Sequence, residues 1–587
     1  MGNYRNFTLT TYFVAHAACR VTREELEQQL AFIEKYMRLD KVYLEPWRGE
    51  LASHEQIEMI RGVLEAHGIQ VAGGLTTVIR TPEGDAPKKR LFDTFCYNDP
   101  KMVARLKEVS AFIGQHFDEF IIDDFFFTNC TCAACVRERD AYNRAHGIRA
   151  GWKAYRLDLL RRVSEEDIIG PAKAANPKCK ITIKYPNWAE SYQETGYNPE
   201  MQRKLFDRIY TGTETRDPVT QDQHLPRYLS YSLMTYFENM WPGHNGGGWF
   251  DTFDAHITEH YLEQAYLTAF SRPKELMLFC FQSLINNRFT PSLGFELEAL
   301  DAMLDHAGGL RGIACYLPDH CQGEDSVQDY LGMNGLPIVC TPYFPEEADQ
   351  ILLTRSSACD PEIVPKLRAW LEKTGGTALV TSGFWEGVRD RGYEDLTSVT
   401  LTGRKINARR YRVEEVENIC TYPQGAEEIN LPVVEFRNNS TWALVKAAHV
   451  EESYGILLRD DYGRGKILTL AVPDAYPDFY EMPAPVWSRI RQEIPVGGLW
   501  MEGPGRIGLF PTENDTFTVY PFVMRDTQRV KITLHAAGAR GLEVLATNAP
   551  GRRGEGRTMQ PLYEKNGEAA FEIPVLPGTW QQFRILR

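Results

Sequence analysis

Apolar runs recur along roughly the first 330 residues, with polar, helix-periodic segments between them. The runs lie at 8–16, 41–45, 70–76, 119–126, 180–185, 208–214, 275–282 and 312–317. Each is short and almost continuously hydrophobic, as expected of parallel strands covered on both faces. Segments 56–67, 99–116, 136–145, 152–163 and 257–269 instead repeat apolar residues every three to four positions. Thr22 and Glu25 form a capping-box pattern that opens a helix running to about residue 37, and Asp99 reads as the cap of the helix after it. Eight strand–helix units in this span predict an α/β fold, a closed (β/α)8 TIM barrel over 1–332, in preference to a doubly wound open sheet. No Gly-x-Gly-x-x-Gly follows the first run, which counts against a dinucleotide-binding fold.

Beyond the barrel the pattern changes. Strands at 336–342 and 350–354, an amphipathic helix at 361–373, a turn and buried strand at 375–383 and a hairpin strand at 462–470 predict a second α/β domain over 333–494. From 495 to 587 only strands are expected (506–510, 516–521, 529–535, 542–546, 569–573, 581–586), which make a small β-sandwich. No run of 18 apolar residues predicts a membrane span. The N-terminus lacks the basic and apolar regions of a secretory signal. Gly2 lacks the Ser or Thr that a myristoylation pattern places at position six.

Composition narrows the chemistry. The 587 residues are 43% hydrophobic and 12% aromatic, enough for large cores. A formal charge of −14 with no basic stretch argues against a nucleic-acid partner. Twelve cysteines are too sparse for a disulfide scaffold, and Cys280, Cys315 and Cys340 sit inside apolar runs as small buried hydrophobes. A reducing cytoplasm is the expected compartment.

A TIM barrel carries its chemistry at the C-terminal ends of its strands. Read that way, the run ends supply His16, Glu45 with Trp47, Thr76 with Thr77, Asp123 with Asp124, Tyr185 with Trp188, Glu214 with Arg216, Gln282, and Asp319 with His320. The long segment after 208–214 adds Trp241, Trp249 and Asp251 around three consecutive glycines. Loops of that length commonly line a site. Aromatic rings and carboxylates suit the C–H faces and hydroxyls of a sugar, whereas the same aromatics could form a small local core. Downstream of Asp124, the spacing Cys130-x-Cys132-x-x-Cys135 offers three thiolates. Tetrahedral zinc needs a fourth, and Cys96, ahead of the helix after the third run, can supply it. Such a site is closed and structural. The alternative is a cluster of free thiols.

These residues resemble the glycoside hydrolases related to the family 42 β-galactosidases. In that family Cys-x-Cys-x-x-Cys follows the catalytic fourth strand, with one further cysteine upstream, as Cys96, Cys130, Cys132 and Cys135 stand here. The resemblance implies a class I amidotransferase-like domain used for trimerisation and a terminal β-sandwich after the barrel. It also implies glycoside hydrolysis of a small carbohydrate, structural zinc without an organic cofactor, and a homo-oligomer, trimer or dimer. The family's Asn-Glu at the fourth strand reads Asp123-Asp124 here, and the run at 275–282 ends in Gln282 rather than a nucleophilic Glu. A fourth-strand Asp is more similar to α-galactosidase and α-fucosidase barrels. The expected pair is therefore Asp123 or Asp124 as nucleophile or base and Glu214 as acid, with Arg216 and Glu45 tuning them and holding hydroxyls. Two other readings are a catalytically inactive carbohydrate-binding barrel and a metal-dependent hydrolase. The latter calls for His-x-His after the first strand, where only His16 stands.

Overall fold

A computed structural model describes residues 3–78, 94–415, 420–522, 529–552 and 554–587. Met1 and Gly2, considered above as a lipidation signal, lie outside the described residues. The chain forms two units, Met1–Gln221 with Met240–Asp301, and Asp222–Asn239 with Ala302–Arg587.

The first unit is a closed barrel of eight parallel strands in sequence order: β1 (Thr8–Phe13), β2 (Lys41–Leu44), β3 (Gln70–Leu75), β4 (Glu119–Ile122), β5 (Lys180–Tyr185), β6 (Arg208–Gly212), β7 (Asn245–Asp251) and β8 (Glu275–Phe279). Helices Arg23–Ile33, His54–Ala66, Pro100–His116 and Thr258–Phe270 stand where the periodicity places them. The Thr22–Glu25 capping box and the Asp99 cap both form. Tyr12, Tyr43, Ile121, Tyr210, Trp249 and Met277 fill the barrel interior. At its N-terminal end Lys41 donates to Glu119 and Glu275 at 3.0 Å each. All three are first residues of their strands, so this buried ion cluster lies far from the C-terminal mouth.

Two strand assignments need correction. The run at 312–317 is not the eighth barrel strand; it contains β9 (Ile313–Tyr316), which pairs in the second unit, and the barrel's unit ends at Asp301 rather than 332. The missing strand is β7, read above as part of a long loop. Its three glycines hide it from a hydrophobicity pattern, and packing requires them. A Cβ would stand 2.9 Å from the Tyr210 ring at Gly246, 2.2 Å from the Glu275 carbonyl at Gly247 and 2.3 Å from the Thr268 methyl at Gly248.

The second unit holds a ten-stranded mixed sheet. After β9 come β10 (Ile338–Thr341), β11 (Gln350–Leu353), β12 (Thr377–Thr381), β13 (Val399–Glu414), β14 (Cys420–Thr421), β15 (Gln424–Phe436), β16 (Thr441–His449), β17 (Glu452–Tyr462) and β18 (Gly465–Leu470). β9 to β12 and β18 are parallel, and β13 to β17 extend the sheet with antiparallel pairs. The C-terminal strands form two antiparallel sheets that share one core around Met501, Phe517, Leu534, Phe571 and Phe583. Helix Leu229–Met240, which lies between β6 and β7 in sequence, falls with the second unit up to Asn239. There Tyr228 stacks on Phe510 at 5.4 Å, and Ser232 donates to the buried Asp329.

Candidate active site

Alternation along β5 turns Lys184 into the barrel and Tyr185 outward. Tyr185 is fully buried, donates to Gln202 at 3.0 Å and packs among Tyr192 and Tyr197. It is therefore not a mouth residue, contrary to the sequence reading. Lys184 takes its place. Its ammonium donates to Asp124 Oδ2 at 2.6 Å and to Glu214 Oε1 at 2.8 Å, and lies 4.6 Å from the centre of the Trp249 ring. All four side chains are buried. One cation thus joins the carboxylates that follow β4 and β6.

Two further pairs complete the cluster. Arg216 grips Asp251 through two parallel bonds of 3.0 and 2.6 Å. Asp251 ends β7, so the seventh strand does finish in a carboxylate, which the misplaced strand concealed. Both of its oxygens are engaged, and Oδ1 also accepts from the Phe253 backbone at 3.1 Å. On the other side, Arg48 binds Glu45 at 3.1 Å and approaches Asp123 at 3.8 Å. The two halves meet where the Asp124 backbone N–H donates to Asp123 Oδ1 at 2.7 Å.

The carboxyl groups are tuned apart. Burial pushes the Asp123 pKa well up, and the neighbouring Asp124 charge adds to that. Burial is the largest influence on Asp124 and opposes its ionisation, but the touching Lys184, helped by the Asp123 contact and Arg216, leaves that pKa below its ordinary value. Glu214 is raised by burial, only partly offset by Lys184, with Asp124 and Asp251 pushing it further. Its second oxygen, Oε2, is buried and has no hydrogen-bond partner among the described residues. For Lys184, burial alone would lower the pKa; Asp124 and Glu214 hold it above the usual value. An ionised carboxylate beside a carboxyl inclined to keep its proton is the arrangement needed for paired nucleophilic and acid work.

Trp249 stacks on Phe279 at 4.9 Å and tilts against Tyr12 at 5.1 Å, walling one side. It is buried wall rather than an open platform. Trp188 follows β5, half-buried and edge-on to Phe127. Trp47 is buried after β2 and stacks on Phe95. His16 is exposed just past β1, against Arg20. Gln282, past β8, accepts from the Val14 backbone at 3.4 Å. Thr77 donates to the Phe125 carbonyl. Three expectations fail on position. Trp241 precedes β7, at the end of the barrel opposite the mouth, and stacks on His244. Asp319 and His320 follow β9 in the second unit, 3.4 Å from each other. Sequence reading missed Lys184 and Arg48. The available signals were a lysine breaking an apolar strand and an arginine three residues after Glu45.

The four cysteines do come together. Cys96 lies 3.7 Å from Cys132 and 3.6 Å from Cys135, Cys132 and Cys135 are 3.5 Å apart, and all four sulfurs lie within 4.8 Å of one another. Sulfurs at about 2.3 Å from a central metal stand about 3.8 Å apart in a tetrahedron, so this set could hold a metal ion.

A parallel eight-stranded barrel with convergent acids at its C-terminal mouth defines a glycoside-hydrolase type of catalytic domain. Residues 1–300 match the family profile described as "Probable glycosyl hydrolase, catalytic domain", and the chain belongs to that family. Residues 305–475 match the second domain of the uncharacterized protein SSO3021. The chain is 24% identical to that Saccharolobus solfataricus protein over 530 residues, covering 81% of this chain and 84% of the relative. The fold resembles α-L-fucosidase isoenzyme 2 from Paenibacillus thiaminolyticus (TM-score 0.62, 13% identity, 99% of this chain and 100% of that one). It also resembles the exo-β-1,4-mannosidase Op5Man5 from Opitutaceae bacterium strain TAV5 (TM-score 0.51, 12% identity, 81% and 93%).

Proposed function

We propose that this glycosyl hydrolase cleaves a small oligosaccharide or glycoside with retention, using Asp124 as nucleophile and Glu214 as acid and then base. The observation that carries this reading is Lys184 lying between the two. Bonds of 2.6 and 2.8 Å to one ammonium keep the two oxygens within about 5 Å, the spacing of retaining pairs. Asp124, held ionised by Lys184, attacks the anomeric carbon as Glu214 delivers its proton to the departing oxygen. The deprotonated Glu214 then takes a proton from a water whose oxygen attacks the anomeric carbon and displaces the Asp124 carboxylate. Arg216, fixed by Asp251, and Glu45, fixed by Arg48, stand ready for sugar hydroxyls, with Trp249 behind the ring. Asp123, disposed to stay protonated, supports Asp124 through its backbone.

The test is proton NMR of the first-formed anomer from an aryl glycoside panel that opens with α-L-fucosides and β-mannosides. Retention is expected, and Asp124→Asn should abolish turnover. An inverted first product would overturn the pairing. The same proposal places zinc, closed and structural, on Cys96, Cys130, Cys132 and Cys135. It also includes a homo-oligomer, trimer or dimer; a monomeric mass by light scattering at micromolar concentration counts against that part.

A further inference from the structure

The second unit has a cavity of its own, enclosing about 380 Å³, which is room for a molecule of monosaccharide size. Strand order explains its position. The parallel strands run β10-β9-β11-β12-β18. The chain leaves β9 for β10 on one side, then crosses back to β11 on the other. Such a reversal in an open parallel sheet leaves a crevice outside the carboxyl ends of the strands, where ligands bind. The cavity is built from those ends. Glu324 comes from the connection after β9, Arg355 from just past β11, Ser382 from just past β12, and Asp474 from the segment after β18.

Glu324 forms the floor. It is buried and accepts from the Arg355 backbone N–H at 2.7 Å and the Thr381 hydroxyl at 2.5 Å. That clasp holds the ends of β11 and β12 together, so Glu324 is structural. The walls carry Arg355, Arg389, Arg404 and Lys405 with Glu386 and Asp474 among them, so with Glu324 four cations line the cavity against three carboxyl groups, and Arg404 pairs outward with Glu435. Arg355 pairs with Glu386 at 2.7 Å and Lys405 with Asp474 at 2.5 Å, and these four side chains are 48–54% exposed. Ion pairs that wet contribute little and exchange partners readily. Arg389 makes no ion pair among the described residues and stands 5.5 Å from the Trp385 ring centre.

We propose that this cavity is a second ligand site, for a small hydroxylated acid. The ligand would be a carboxylated or phosphorylated molecule of monosaccharide size, held by the guanidinium forks of Arg355 and Arg389. The proposal does not depend on the glycosidase reading. Calorimetry with the full-length protein tests it, using glucuronate for the carboxylate, glucose 6-phosphate for the phosphate and glucose as the neutral probe. At least one acid should bind with a dissociation constant of about 10⁻⁵–10⁻³ M, and the stronger of the two names the acid group. The double variant Arg355→Ala/Arg389→Ala should weaken that binding at least about tenfold, whereas Asp124→Asn should leave it intact. No heat from either acid would overturn the site. So would acid binding that survives in the double variant, or acid binding lost in Asp124→Asn. Glucose binding that disappears in the double variant would overturn the anionic class.

Discussion

Lys184→Met removes one positive charge between two acids and keeps most of the side-chain volume. Asp124 and Glu214 would then face each other across about 5 Å in a buried setting. At an effective dielectric near 20 Asp124 loses roughly 3–4 kcal/mol of attraction to the ammonium, at least about two pKa units. Lys184 is the main influence lowering the Asp124 pKa, so its loss lets burial win and the nucleophile takes up a proton. The acid limb of the kcat/KM profile should move up by about 2 pH units. Rates below the limb should fall by about 100-fold and recover partly as pH rises. The assay is a pH series with a dinitrophenyl glycoside, whose departure needs no proton from Glu214. Melting temperatures recorded alongside identify any variant that has simply lost its fold. An acid limb left in place, with wild-type rates at low pH, would refute the electrostatic role of Lys184.

Glu214→Gln should lower kcat/KM for an unactivated glycoside by about 10²–10⁴-fold while barely changing kcat/KM for the dinitrophenyl substrate, whose kcat falls because the base-assisted second step slows; equal kcat/KM losses on both would remove Glu214 from the acid role. Elemental analysis should find about one zinc per chain, with zinc–sulfur distances near 2.3 Å. The zinc should disappear in Cys132→Ser, and zinc retained in that variant would point to another site. Asp329, fully buried with Ser232 and Gln328 as donors, has its pKa pushed up to about 7 by burial. The folded state therefore keeps this proton up to about pH 7, while the unfolded chain releases it near pH 4. Stability should fall as pH rises between those values. Asp329→Asn should flatten that slope and stabilise the protein at pH 8 by up to roughly 4 kcal/mol in denaturant titrations; an unchanged slope would show the burial cost to be relieved in some other way.

Seven of the eight barrel strands were legible because buried parallel strands announce themselves as apolar runs. β7 was not, because close packing against Tyr210, Glu275 and Thr268 forces glycine where a pattern search expects Val or Ile. The 312–317 run filled the count with a strand of identical appearance, since a strand buried in an open sheet looks the same as one in a barrel. That slip carried Asp319 and His320 into the expected site and hid Asp251. Residues just past strand ends (Asp123, Asp124, Glu214, Arg216) could be read from sequence, since position along the chain fixes which end of a strand they occupy. Tyr185 and Lys184 were exchanged because a one-residue difference decides inside from outside, and a fully apolar environment erases the alternation that would show it. The cysteines were legible from spacing alone, apart from Cys96, whose approach depends on neighbouring strands.

Helix Leu229–Met240 has a consequence for biosynthesis. The ribosome delivers it midway through the barrel, but Tyr228 closes against the Ile338 backbone and stacks on Phe510. Phe510 emerges about 280 residues later, roughly a quarter of a minute to a minute at ordinary translation speeds. Until then the nascent barrel carries a helix whose aromatic face has nothing to cover it. The barrel's own sequence is interrupted by a segment that packs with later-made residues, and truncation at Asp301 would leave that segment without those partners. A nascent chain of this design leaves that aromatic face uncovered for about half of its synthesis, and grafting its barrel elsewhere requires cuts on both sides of the 222–239 segment as well as after Asp301.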